Sequence, residues 1–310
     1  MTEWSRGGDP IWWSALNHVE GIGAATMLRL ARAFGSAEAA VNAAPEELVA
    51  CGRLTPRQAA EVQHVSRGME ALRERIAAWS RAGIKLLAIG DDAYPPSLLD
   101  LRTPPPLLYL RGELRPEDGR SVAVVGTREP TAEGEFVAAQ LAEGFAVRGF
   151  TDVSGLARGI DTAGHRGALG APAGRTIAAL GSGLLRIYPP ENAGLAEQIA
   201  LRGCLLAEVP PETEVNRKYL LARDRIQAAL ARAVVVVQAH RQCGSIVTAS
   251  HAVACRRLLF GVPWSDGPFA EGWEKLRRMG AQPINTESDL DQLAHRILTS
   301  SPEPPQRRLL

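Results

Sequence analysis

The chain is 310 residues long, 45% hydrophobic and 22% charged, with a formal net charge of +1. That length and apolar content can bury one large core plus a smaller one, and the near-neutral balance excludes a highly basic tail-type nucleic-acid binder while leaving local basic patches open. The four cysteines, Cys51, Cys204, Cys243 and Cys255, have no CxxC or CxH spacing and are too few for a disulfide framework, so they read as reduced thiols of a cytoplasmic protein. No basic start followed by an apolar run opens the chain, so no signal peptide is expected. The best apolar run, residues 233–237, is strand-sized, so no membrane partner is expected either.

Residues 9–82 read as helical throughout, at 24–34, 36–43, 45–50 and 55–81 after a first helix near Pro10, with short breaks carrying Gly, Ser or Pro. In the 55–81 stretch Val62, Val65, Met69, Leu72, Ile76 and Trp79 recur at helical spacing, a stripe expected to leave the bundle and dock on the next zone of the chain. From Ile84 onward strand and helix alternate. Strands are expected at 85–89, 107–110, 122–125, 151–153, 176–180, 204–207, 234–237, 258–262 and 282–284, with helices at 132–147, 159–169, 193–201, 222–231, 246–255 and 271–279. Near-continuous apolar strands alternating with helices predict an α/β domain, a doubly wound, mostly parallel sheet covered on both faces, over residues 83–287. The first two strands fall outside that rhythm, separated by a proline-rich turn, and are expected to add an edge or small subdomain. Residues 288–310 give one helix, with Ser288 as its N-cap, and a proline-rich tail expected to be disordered.

Ligands of open parallel sheets sit beyond the carboxyl ends of the strands, so the loops there carry the chemistry. Gly126-Thr127-Arg128 follows the third strand: the glycine allows a tight turn, Thr127 can donate a hydrogen bond, and Arg128 can fork onto a phosphate. An ordinary β–α turn with a surface arginine fits that loop equally well. Ser154-Gly155-Leu-Ala-Arg158-Gly159-Ile-Asp161 is more specific, because two glycines, a serine and an arginine precede a helix start. Asp161 is expected to cap that helix or align Arg158, and His165 to be structural. Gly181-Ser-Gly183 invites close backbone approach, and Tyr188 offers a ring for stacking. Arg217, Lys218, Tyr219, Arg223 and Arg225 form the densest basic cluster; Arg223 paired with Asp224 or Glu208 on a solvated face is the alternative. Gly244-Ser245 opens a further helix that could hold a phosphate. No dinucleotide fingerprint, P-loop, nucleophile elbow or His/Cys metal constellation is present, so no cofactor, metal or catalytic residue is expected.

In order along the chain, Tyr94-Pro-Pro-Ser-Leu, Pro105-Pro-Leu-Leu-Tyr-Leu-Arg-Gly112, Val125-Gly-Thr-Arg128, the Ser154–Asp161 element, Tyr188-Pro-Pro-Glu-Asn192, Ala222-Arg-Asp-Arg-Ile226 and Gly244-Ser-Ile-Val-Thr-Ala249 resemble the DNA-processing protein A (DprA/Smf) family. The resemblance covers roughly residues 85 to 284 and implies a Rossmann-like domain that binds single-stranded DNA, loads the RecA recombinase onto it in natural transformation, and forms a homodimer. It implies a non-enzymatic protein, with Arg128, Arg158, Arg223 and Arg225 in the DNA pocket and Gly126, Ser154, Gly155 and Gly244 at close backbone approaches. Residues 9–82 are similar to the small helical domain many members carry, with Val19-Glu-Gly-Ile-Gly23 like the hairpin of a helix-hairpin-helix or SAM-like element. The chain departs from the family pattern at Asp224, where Asn is usual, at Leu220-Leu221 for Phe-Pro, at Gln238 for Glu and at Cys243 for Ser, and it stops too soon for the winged-helix domain of many members. A protein of this fold that binds or hydrolyses a nucleotide-derived small molecule is the alternative, with Glu208 as its candidate carboxylate; a pure interaction scaffold would leave the Arg-Gly loops unexplained.

Overall fold

The computed structural model of the protein describes residues 8–285 and 287–299. The proline-rich tail expected at residues 300–310 and the extreme N-terminus lie outside the described residues. Six helices come first: α1 (Pro10–Asn17), α2 (Ala24–Phe34), α3 (Ala37–Asn42), α4 (Pro45–Ala50), α5 (Pro56–Arg67) and α6 (Met69–Arg81). Local chemistry sets their ends. Asp9 caps α1 by accepting from Ile11 N at 3.0 Å, with Pro10 preorganised at the first helical position. Thr55 and Gln58 form a reciprocal capping box on α5. The single helix expected over 55–81 is in fact two, broken at Gly68, which ends α5 and opens α6. The residues resembling a hairpin, 19–23, form the turn between α1 and α2, with Gly21 at φ +77°.

The sheet has nine strands in the order β1-β2-β6-β5-β4-β3-β7-β8-β9: β1 (Ile84–Ala88), β2 (Leu107–Gly112), β3 (Ser121–Val125), β4 (Thr151–Ser154), β5 (Arg175–Leu180), β6 (Cys204–Ala207), β7 (Ala233–Val236), β8 (Leu258–Gly261) and β9 (Gln282–Pro283). From β6 to β9 all pairs are parallel. The two early strands extend this sheet at the β6 edge, β2 antiparallel to β6 and β1 antiparallel to β2, so they form an edge and not a separate subdomain. Between the strands run α7 (Ala132–Val147), α8 (Ile160–Gly170), α9 (Ala193–Arg202), α10 (Arg217–Leu230), α11 (Gly244–Ala254) and α12 (Gly267–Arg278), and α13 (Glu287–Thr299) follows β9. The range of α13 thus begins at Glu287, one residue before Ser288.

The period-two alternation of buried strands divides the core into two layers. Val122, Val124, Ala233 and Val235 face α7, α8 and α13, where Leu290, Leu293 and Ile297 are buried. Ala123, Val125, Val234 and Val236 face α9, α10 and α11, and this layer runs without a break into the N-terminal helices. The joint is polar as well as apolar: Trp79 of α6 meets Tyr109 of β2 edge-on at 5.8 Å and donates Nε1–H to Glu212 at 2.6 Å. The stripe expected to leave the bundle and dock on the next zone does so through Trp79, while Val62 stays packed with the N-terminal helices. No helix among the described residues is long and apolar enough to cross a membrane. Strand order reverses between β3 and β7, and the crevice beyond their carboxyl ends is where this architecture places ligands.

Candidate nucleic-acid interface

A narrow pocket opens at that crevice, lined by Arg128, Gly155, Ala157, Arg158, Tyr188, Pro189, Leu220 and Arg223. Its floor is the Gly155–Gly159 loop after β4, which is held from several directions. Asp161 Oδ2 accepts the N–H groups of Gly155 at 3.1 Å and Ala157 at 3.3 Å. Leu156 stands at φ +59°, a left-handed conformation that costs a non-glycine residue about 1–2 kcal/mol, and its fully buried side chain fixes it there. Asn192 donates to Leu156 O at 2.9 Å and to Thr162 Oγ1 at 2.8 Å. His165, fully buried, accepts the Leu156 N–H on Nε2 at 3.3 Å. Its Nδ1 sits 2.6 Å from Thr176 Oγ1, which itself donates to Asp152 at 2.8 Å. This chain assigns the proton to Nδ1 and makes His165 a brace under the loop.

Arg223 is the centre of the pocket. It is 5% exposed, and its Nη1 lies 3.8 Å from Asp161 while its Nε lies 3.5 Å from Asp224. Neither contact is within hydrogen-bond reach, Nε is buried without a partner, and burial of both carboxyls raises their pKa values, that of Asp224 to about 6. Asp161 therefore faces Arg223 and not Arg158, as sequence alone suggested. Arg158 is exposed and pairs through Nε with Glu191, and Arg128 is exposed with no ion pair among the described residues.

The other expected positions divide sharply. At Gly155, which lines the pocket, a Cβ would stand 1.3 Å from Arg223 Nη1, so the glycine makes room for the guanidinium. Gly126 likewise faces Ile160 at 2.5 Å and Gln238 O at 2.8 Å, a helix–strand contact. Gly181 and Gly183 are filled by Leu220 and Pro211. Ser154 donates to Val124 O at 2.8 Å inside the core, and buried Thr127 ties the two loops of the crevice, its N–H donating to Gln238 O at 2.7 Å. Gly159, at φ +72°, sets the turn into α8. Gly244 is exposed at the first turn of α11, where Ser245 is buried with its hydroxyl 2.8 Å from Cys243 Sγ. Arg217 and Lys218 are exposed on the first turn of α10, whose helix dipole adds to their charge; Lys218 and Tyr219 do not line the pocket, whereas Leu220 does.

Arg225 is not brought to this pocket. Its Nη2 donates to both carboxylate oxygens of Glu208, at 2.6 and 2.5 Å, and this pair takes Glu208 out of consideration as a free catalytic carboxylate. Among the described residues no group of His, Cys, Asp or Glu is arranged to hold a metal ion. Residue patterns alone do not single out Asn192, Leu156 and Glu191 as supports of the loop; the Tyr188–Asn192 motif was the signal for Asn192 and Glu191, and the Ser154–Asp161 element for Leu156.

The fold and the crevice define a Rossmann-like protein with a cationic pocket at its topological switch point. The model of the family described as DNA recombination-mediator protein A matches residues 85–295, and this chain belongs to that family. It is 36% identical over 287 residues to protein Smf of Synechocystis, covering 90% of this chain and 71% of that protein. Among solved structures it is similar to DNA processing protein A of Streptococcus pneumoniae, with a TM-score of 0.78 at 27% identity over 91% of this chain and 97% of that one. It is also similar to DNA processing protein A of Helicobacter pylori, a structure described for its single-stranded DNA binding mode, with a TM-score of 0.62 at 29% identity over 68% and 96% of the two chains.

Proposed function

We propose that the protein is a non-enzymatic mediator that grips single-stranded DNA in the Arg128–Arg158–Arg223 pocket and delivers it to RecA in the cytoplasm during natural transformation. The observation that carries this reading is Arg223: a guanidinium buried beside two carboxylates, with no hydrogen bond made among the described residues. An unsatisfied buried cation is costly unless an anion with oxygens in reach completes it. Arg128 and Arg158 at the rim supply charge for neighbouring phosphates, and the exposed ring of Tyr188 supplies a face on which a base of any identity can stack. The family relationship and the described DNA binding of the Helicobacter relative support a strand of DNA over a mononucleotide. A homodimer would set two such pockets on one strand, and the exposed Phe136 and Val147 of α7 offer apolar surface for it.

The test is titration of a fluorescent poly-dT oligonucleotide across a salt series. The double variant Arg128→Ala/Arg158→Ala is expected to bind at least about tenfold more weakly and to lower the slope of log affinity against log salt by roughly 0.7 per lost phosphate contact. An unchanged slope and affinity would remove the pocket assignment. RecA delivery is checked separately, by the lag before RecA filament formation on DNA preincubated with the protein.

A further inference from the structure

Asp224 stands where a phosphate would be most welcome. Its Oδ1 lies 3.5 Å from Arg223 Nε, and its Oδ2 lies 3.8 Å from where a Cβ on Gly244 would be, at the first residue of α11. A buried guanidinium and the amino end of a helix both attract anions, so the carboxylate holds the ground between them. It holds it poorly. At 3.5 Å no hydrogen bond forms, and Arg223 Nε stays buried and unpartnered.

The groups facing this carboxylate come from every element packed around it. Arg223 lies on the same helix, Asp161 approaches from α8, Arg128 from the loop after β3, and the first turn of α11 closes the fourth side. Burial and the Asp161 charge oppose the ionised form, Arg223 and Arg128 favour it, and burial prevails.

We propose that Asp224 is a built-in competitor for the phosphate subsite formed by Arg223 and the start of α11, so that strand binding is linked to protonation of Asp224. The inference rests on the single-stranded DNA reading above. A phosphate entering this subsite adds negative charge next to the carboxylate, which then takes a proton from solvent. The neutral acid ceases to repel, and its O–H can donate to a phosphate oxygen. Affinity for DNA therefore rises as pH falls toward the range in which Asp224 titrates, because the bound state holds the extra proton.

The experiment compares wild type, Asp224→Asn and Asp161→Asn by anisotropy of a labelled dT oligonucleotide at constant ionic strength, from about pH 7.5 to about pH 5.5. Wild type is expected to tighten several-fold over that range. Asp224→Asn should bind about three- to tenfold more tightly near neutral pH, the effect of removing up to about one pK unit of coupling, and should lose the extra pH dependence. Asp161→Asn, which also removes one negative charge, should instead weaken binding, because Asp161 holds the Gly155 and Ala157 amides. Thermal melts at each pH establish that both variants are folded. An Asp224→Asn protein that binds no more tightly than wild type, or keeps the wild-type pH slope, overturns the competitor role. Absence of oligonucleotide binding by wild type at every pH overturns the DNA reading itself.

Discussion

Arg223 and Arg225 lie on one helix, two positions apart, and meet opposite surroundings. About 200° of helix rotation separates them, which turns Arg223 into the crevice and Arg225 toward β6. Arg225 finds Glu208 and donates to both its oxygens; Arg223 finds two carboxylates, each beyond hydrogen-bond distance. The first arrangement is closed by two hydrogen bonds from Nη2, with Nη1 buried and unpartnered, and serves stability. The second is incomplete and calls for a ligand. The difference between them is that Arg225 is held by two hydrogen bonds to a carboxylate and Arg223 by none among the described residues.

The comparison breaks most directly at the Arg225 pair. Glu208→Ala strips the half-buried Arg225 guanidinium of its partner and should cost about 3 kcal/mol of folding stability, the lower end for a broken buried pair, read as a large drop in melting temperature, with DNA affinity nearly unchanged in the fraction that stays folded. Equal loss of stability in Arg223→Lys would erase the contrast. That variant keeps the charge and loses the planar fork, so it should leave the melting temperature close to wild type and weaken oligonucleotide binding by about 2–3 kcal/mol, since bonds from charged donors are worth about 1.5–3 each.

A pH titration of stability sharpens the picture of Asp224. Its folded pKa of about 6 lies above the unfolded value of 3.8, so the native state binds the extra proton between those limits, and this group's contribution makes the fold more stable as pH falls through that window and less stable as it rises. Asp224→Asn should abolish that contribution and stabilise the protein at neutral pH by about 1–3 kcal/mol, each pK unit being worth about 1.36 kcal/mol. Urea melts at several pH values measure it; a variant that retains the wild-type slope would place the titration elsewhere. The smallest effect is expected at Gly155→Ala. The three atoms nearest the new methyl all belong to the far end of Arg223, so the guanidinium swings aside, and DNA binding should fall about five- to tenfold, roughly 1 kcal/mol, with little change in melting temperature.

The alternation of strands and helices was legible because buried parallel strands are continuous in apolar residues and the helices between them are not. The break at Gly68 was hidden, since Val65 and Met69 keep the helical spacing across it and the stripe runs on in register. At the crevice, the sequence marked loops that the fold does gather there, without showing which of their residues pack against the protein itself. Gly126, Gly155, Gly181 and Gly183 signalled close approach, and close approach is what they provide, but to Ile160, Arg223, Leu220 and Pro211 of the same chain. Arg223 and Arg225 are equivalent in sequence; only the fold brings Glu208, 17 positions away, to one of them. Asp161 was assigned to the nearer arginine, Arg158, when its partner lies on a distant helix.

The central claim is that Arg223 awaits a DNA phosphate. A crystal structure of the protein with a short oligo-dT bound tests it most directly. The expected complex has a phosphate within about 3 Å of the Arg223 guanidinium, Arg128 and Arg158 on neighbouring phosphates, and a base against Tyr188. DNA lying on another face, with Arg223 still unpartnered in its crevice, would contradict it.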